Sequence, residues 1–420
     1  MKQRILLFMM TALLSVGAWA ENLWSGSETL AYYGFQLTDA VSMSAGDVLT
    51  FTVTATTQSW AGIKLKTVAR SSDDTYNVPG TELISTSAAV GTVMIVVTSE
   101  VAAAAADKGL WLDGNDCTVT SVDYEKAVGV NLYTNAEGNA MNYYSMQLSS
   151  PNLLYAKTGD VLRVTVSDVS SNEYWRKLIL QDAEGGVDAG NTLYTCENTS
   201  LTAGTLDIRL TDELIAKAQA GSLYIGGYEY TFTAVDLYLT SPTVSIDASA
   251  GYATFGYPVA LDLTGIEAYT VTVSGGKAQL NSIQNKKIPA GTGIILKGTG
   301  DVTISLTTEA TDDITGNELL VSDGTVTGDG TIFVLGQNSE GKVGFGKLNT
   351  DDVLPAGKAY LTIPKESRDF IALGDDVTGI DEVRSKTDDG RGVYFDLQGR
   401  RVAQPTKGLY IVNGKKIIIK

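Results

Sequence analysis

Short runs in which Val, Ile, Leu, Thr and Tyr alternate with polar residues recur along the whole chain. Examples are DVLTFTVTAT from Asp47, GTVMIVVTS from Gly91, DVLRVTVSDV from Asp160, YTFTAVDLYL from Tyr230 and GTGIILKG from Gly291. Clusters of Gly, Asn, Asp and Ser separate these runs. A period of two between turn residues predicts half-buried strands. Two segments fit a helix instead, SEVAAAAADK (99–108) and TDELIAKAQA (211–220), each of two to three turns. A chain of 420 residues built this way predicts several all-β domains rather than one.

The pattern repeats. LWLDGNDCTVTSVDY (110–124) aligns without a gap on LYIGGYEYTFTAVDL (223–237), and the same offset pairs GTVMIVVTSE with GTLDIRLTDE and AGDVL with TGDVL. With small shifts, NLW at Asn22 meets NLY at Asn131, YYGFQL at Tyr32 meets YYSMQL at Tyr143, and WAGIKL at Trp60 meets WRKLIL at Trp175. Residues 21–126 and 127–240 are therefore two copies of one module. Each has an opening aromatic strand, further strands, a short helix after Thr98-Ser99-Glu100 or Thr211-Asp212-Glu213, and two closing strands. Many short strands with one brief capped helix predict a jelly-roll-type β-sandwich.

The modules resemble the carbohydrate-binding-module-like sandwiches that accompany secreted polysaccharide-degrading enzymes in bacteria with type IX secretion. The resemblance is carried by LW-SGS, the Tyr pair, AGDVLTFTV, WAGIKL and GLWLDGNDCTVTSVDY, and covers about half of the chain. In such enzymes a catalytic domain is attached, and none is visible here. Residues 241–380 form a different β domain, with Pro-Ala-Gly turns at Pro289 and Pro355 whose role is structural. This domain resembles one often found before the C-terminal tail of secreted proteins in the same bacteria, and no activity can be carried over from it.

The two ends read as addresses. Lys2 and Arg4, an apolar run from Ile5 to Val16 and the Ala18-Trp19-Ala20 pattern have the architecture of a secretory signal peptide over residues 1–20. The apolar run is shorter than the ~20 residues a membrane span needs, so no transmembrane segment is expected after cleavage. Residues 381–391 are a polar linker. Residues 392–420 then carry about +5 on a chain of net charge −17 and read as strand, turn, strand, Asn-Gly turn, strand. This tail resembles the C-terminal sorting domain of type IX secretion substrates through Tyr394, Asp396, Leu397, Gly399, Arg400, Lys407, Gly408, Tyr410, Asn413, Gly414 and Lys415. The resemblance implies delivery to the cell surface or the medium with the secretion and sorting machinery as partner. A closing hairpin of the preceding domain is the alternative.

Charge and composition narrow the chemistry. Without Lys2 and Arg4 the net charge falls to −19, which argues against nucleic acid as a partner. The chain has no histidine, which excludes Ser-His-Asp and Cys-His catalysis and His-ligated zinc. No P-loop or dinucleotide fingerprint appears, and no carboxylate pair nominates itself for glycoside hydrolysis. Cys117 and Cys196 cannot make a disulfide framework, though the exported compartment permits one bridge. No cofactor is expected. Asp113, Asn115 and Asp116 suggest a calcium loop, but their counterpart GGYE lacks the ligands, which favours a solvated turn.

The expected function is non-catalytic recognition of a polysaccharide or other glycan, whose pyranose faces stack on aromatic rings beside polar hydrogen-bonding groups. The candidates are Trp60 and Trp175, at equivalent places, and the pairs Tyr32-Tyr33 and Tyr143-Tyr144. Each ring is also a candidate for the core, but in an adjacent pair on a strand one ring must face outward. The alternative is a surface adhesin or protein-interaction scaffold that binds no sugar.

Overall fold

The computed structural model describes residues 21–31, 34–68, 74–78, 81, 84–86, 90–187, 191–364 and 369–374. It also describes the backbone of 394–395, 401–402, 408–412 and 415–419. Residues 1–20, expected to be a signal peptide, and residues 381–391, expected to be a linker, lie outside the described residues. The fold is all-β. Among the described residues α-helix is confined to α1 (Ser99–Lys108) and α2 (Asp212–Gln219), the two segments expected to be helical. Each starts at a threonine: Thr98 Oγ1 accepts from Val101 N at 3.2 Å, and Thr211 Oγ1 from Leu214 N at 3.3 Å, satisfying donors the first turn would leave open.

The first repeat contains β1 (Glu21–Ala31), β2 (Phe35–Thr38), β3 (Val48–Thr56), β4 (Gly62–Lys66), β5 (Ile84–Ser85), β6 (Gly91–Val96) and β7 (Leu110–Glu125). The second contains β8 (Ala127–Gln147), β9 (Val161–Val169), β10 (Lys177–Gln181), β11 (Thr192–Glu197), β12 (Gly204–Arg209) and β13 (Tyr224–Thr240). In each, one long strand is the spine. Along one edge of β7, residues 111–115 pair with β4 and residues 117–125 with β3. On the other edge β7 pairs with β2 and β1. The spine β13 does the same with β10 and β9, and the single long β8 takes the place of β1 and β2.

Both spines change partner at a bulge. Gly114 and Gly227 have φ of 154° and 136°, and two residues on Asp116 and Glu229 have φ of 54° and 60°. A Cβ at Gly114 would stand 2.2 Å from the Gly62 carbonyl oxygen, and one at Gly227 1.9 Å from that of Lys177, so only glycine fits. The bulge bends the sheet, so that one curled sheet supplies both walls of a sandwich-like core. Phe51, Ile63, Leu112 and Val122 fill the first core, and Val164, Leu178, Ile225 and Phe232 the second. Burying each such side chain contributes about 1.5–3 kcal/mol.

Polar contacts are duplicated as well. Asn22 Nδ2 donates to the Trp24 carbonyl and to Asp123 Oδ1, as Asn131 Nδ2 does to the Tyr133 carbonyl and Asp236 Oδ1. Where the chain leaves each repeat, a buried aspartate holds it. Asp47 accepts from Ser44 N and Ala127 N, and Asp160 from Lys157 N and Thr240 N.

The region after Thr240 joins the second repeat without a break in apolar packing. Val244, Leu261, Ile288, Ile294 and Leu306 belong to the same core as Leu237 and Leu239, while Val271, Phe333, Phe345 and Leu361 form a separate one. Both Pro-Ala-Gly turns are structural. Gly291 (φ 71°) and Gly357 (φ 76°) end them, and their backbones bond to the segment Gly256-Tyr257. Residues 374–420 form a separate unit. In it Tyr394–Phe395 pairs with Arg401–Val402 and with Gly408–Val412, which forms a hairpin with Lys415–Ile419. Tyr394, Gly408, Tyr410 and Lys415 lie on these strands. Asp396, Leu397, Gly399, Arg400, Lys407, Asn413 and Gly414 lie outside the described residues.

Candidate functional site

The loop between β9 and β10 carries Trp175, and the β13 bulge carries Tyr228. Three rings meet there. Tyr143 stacks on Tyr228 with centroids 4.6 Å apart and planes 16° apart, and Trp175 lies 5.4 Å from Tyr228 at 36°. Trp175 is 52% exposed and Tyr143 45%, so two rings flanking a half-buried third present an aromatic surface to solvent. Tyr174, 78% exposed, adjoins it on the same loop.

The loop is held from below. Arg176 is buried, and its guanidinium donates to the carbonyls of Asn198 (2.9 Å) and Ser170 (3.0 Å). Ser170 N donates to the Glu229 carbonyl, and Asn172 Oδ1 accepts from Tyr174 N at 3.2 Å. A buried charge satisfied by backbone carbonyls fixes the loop and with it the indole.

Tyr143-Tyr144 departs from the expected alternation. Both rings are exposed, because Tyr143 has φ of 60° and the β8–β13 register shifts beside it, so the two side chains no longer point to opposite faces. Tyr144 Oη donates to the Ala140 carbonyl at 3.1 Å. Below them Tyr230 is buried, with its hydroxyl donating to the Gly226 carbonyl, and burial raises its pKa well above the usual phenol value.

The first repeat differs at the centre of this arrangement. Trp60 is also exposed, at 48%, on a turn before β4. Yet the position of Tyr228 is held by Asn115, whose Nδ2 donates to the Trp60 carbonyl at 3.1 Å. An amide thus replaces the middle ring. Tyr32 and Tyr33 lie outside the described residues. Sequence reasoning missed Tyr228, although one signal was legible: in otherwise matching segments, an aromatic faces an asparagine.

No protein-family model matches the chain, and no curated protein matches it.

The Asp113–Asp116 segment is not a solvated turn. It lies inside β7, with Asp113 and Asn115 buried. Asp113 meets Lys66 Nζ at 3.3 Å and accepts from Gly114 N. Among the described residues no group of three or more His, Cys, Asp or Glu is placed to hold a metal ion. Cys117 and Cys196 are free thiols buried in different repeats, and burial pushes their pKa up.

A carboxylate pair does form where the second repeat is left, from Glu125 and Asp160. Burial raises the pKa of both, and Lys157 beside them opposes the shift. Asp160 is fully buried, and its oxygens accept from Thr240 N, Thr240 Oγ1 and Lys157 N, while Glu125 accepts from Ser241 N. These bonds give the pair a joining role. Two cavities lie elsewhere. One of about 380 Å³ is lined by Thr270, Asn281, Gln284, Asn285 and Asp312, and one of about 340 Å³ by Ser44, Asp47, Lys126, Tyr238 and Glu309. The aromatic surface lies outside both.

Proposed function

We propose that this chain is an exported, non-catalytic binding protein that recognises glycan through the aromatic surface of its second repeat. The amino-terminal segment exports it, and the C-terminal segment delivers it to the cell surface or the medium. The observation that supports glycan recognition is the contact of Tyr228 with both Tyr143 and Trp175. Rings held rigidly at a surface offer apolar faces to the C–H side of a pyranose at little entropic cost. Among the described residues no helix is long and apolar enough to cross a membrane.

A second reading, a protein-binding adhesin or scaffold, is favoured by one feature. Trp175 and Tyr174 stand exposed on a loop, with Tyr174 78% open to solvent. Aromatic residues are also what protein interfaces concentrate.

Binding of the full chain to an array of soluble polysaccharides separates the two. Trp175→Ala and Tyr228→Ala are expected to weaken binding about tenfold each, equivalent to the loss of one stacking contact. Their far-ultraviolet circular dichroism should match the parent. Absence of binding across the array would reject the glycan reading in favour of the scaffold.

A further inference from the structure

We infer that the aromatic surface of the second repeat selects uncharged polysaccharides and rejects chains bearing uronate or sulfate groups. This rests on the glycan-binding reading of the same surface and adds the class of ligand.

The argument is one of local charge. Anionic glycans are held by Lys or Arg side chains that can reach the ligand. Two cations adjoin the platform, Arg176 next to Trp175 in the chain and Lys177 as the cross-strand partner of Tyr228, and both are engaged. Arg176 is buried with its guanidinium on the carbonyls of Asn198 and Ser170, and Lys177 Nζ lies 3.4 Å from Glu197 Oε2. The carboxylates are placed the other way. Glu173 is exposed two residues from Trp175, Glu229 is exposed directly after Tyr228, and Asp168 is exposed on β9 at the mouth of the loop. Glu229 is tied to that mouth, because its carbonyl accepts from Ser170 N and its left-handed φ of 60° is part of the bulge. Three exposed carboxylates, adjacent in the chain to the rings and to the loop that carries Trp175, add a field that repels anions within about 8–10 Å at ordinary salt. The net charge of −17 adds to it from farther away. An uncharged pyranose polymer incurs no such repulsion, and carboxylates accept hydrogen bonds from its hydroxyls.

The test uses the full chain with three probes: a neutral soluble β-glucan, polygalacturonate and chondroitin sulfate, each titrated at about 20 mM and about 300 mM salt. The expected result is binding to the β-glucan that changes less than twofold between the two salts and weakens about tenfold in Trp175→Ala, with at least tenfold weaker binding of both polyanions to the parent. The double variant Glu173→Gln, Glu229→Gln should narrow that gap at low salt. Polyanion binding that matches or exceeds the β-glucan, depends on Trp175 and falls with salt would overturn the charge selection while leaving glycan recognition standing. Binding of no probe, or binding indifferent to Trp175→Ala, would overturn both.

Discussion

Asn115 and Tyr228 occupy one position in two copies of the same sheet, after a glycine that permits no side chain and before a residue in the left-handed region. In the first repeat the asparagine ties the Trp60 turn to the spine, and in the second the tyrosine joins two rings at the surface. The difference extends inward. Beside the bulge the first repeat buries an ion pair, Lys66 with Asp113. The equivalent residues in the second are Gln181, whose Nε2 donates to the carbonyls of Ala183 and Gly185, and Gly226. A shared backbone thus carries a buried ion pair and an amide-fastened turn in one copy, and a buried amide and a cluster of rings in the other. The bulge fixes where side chains emerge, and their identity is free to diverge.

The ion pair gives the largest expected effect. Asp113→Ala leaves the Lys66 ammonium buried without its carboxylate, which should destabilise the first repeat by about 3–5 kcal/mol. Adding Lys66→Met should recover most of that loss, since two apolar groups then fill the space. Gln181→Ala in the second repeat removes a fully buried amide with its two hydrogen bonds but strands no charge, and should cost about 2–3 kcal/mol. Calorimetric unfolding of the three variants checks the order. An Asp113→Ala cost no larger than that of Gln181→Ala would mean that the two interiors do not differ in this way.

The glycine substitutions should show the opposite, a cost common to both repeats. Gly114→Ala and Gly227→Ala each place a Cβ against a carbonyl oxygen at a positive φ. Each should lose about 2–3 kcal/mol. The Tyr143–Tyr228 stack should also loosen in Gly227→Ala, visible as a change in near-ultraviolet circular dichroism. A cost in one repeat alone would break the claim that the bulge is the shared element.

Much of this was legible in the sequence because period-two alternation and internal alignment report directly on strands and on copies. The two helices, their threonine caps, the equivalence of Trp60 and Trp175 and the structural role of Pro289 and Pro355 all follow from local chemistry. What stayed hidden depends on the bulge. Alternation places one ring of Tyr143-Tyr144 inward, but the left-handed Tyr143 shifts the register and exposes both rings, while Asp113 and Asn115, expected in a solvated turn, are buried beside Gly114 in β7. A glycine in a spine strand signals such a bulge, yet it does not say which way the following side chains turn. The continuous core between the second repeat and residues 244–306 was hidden for a different reason. Long-range packing of apolar faces leaves no local mark.

The two exits give the smallest expected effect and a pH dependence of definite sign. Asp47, at the first exit, is bonded to the Tyr124 hydroxyl, whereas Asp160, at the second, shares its surroundings with the carboxylate of Glu125. Burial raises the pKa of Glu125 and Asp160 in the fold above their unfolded values, with Lys157 pulling the other way. An acid raised in this way favours the folded state most when protonated. Its contribution is complete below the unfolded carboxylate pKa near 4 and is lost as pH rises through the higher folded value. Glu125→Gln keeps an oxygen to accept from Ser241 N and removes the ionisation. The variant should therefore melt higher than the parent at pH 7, and the gap should shrink towards pH 4. A melting point at pH 7 equal to or below that of the parent would show that the attraction to Lys157 outweighs desolvation, and that the second exit is an ion pair like the Lys66–Asp113 pair of the first repeat.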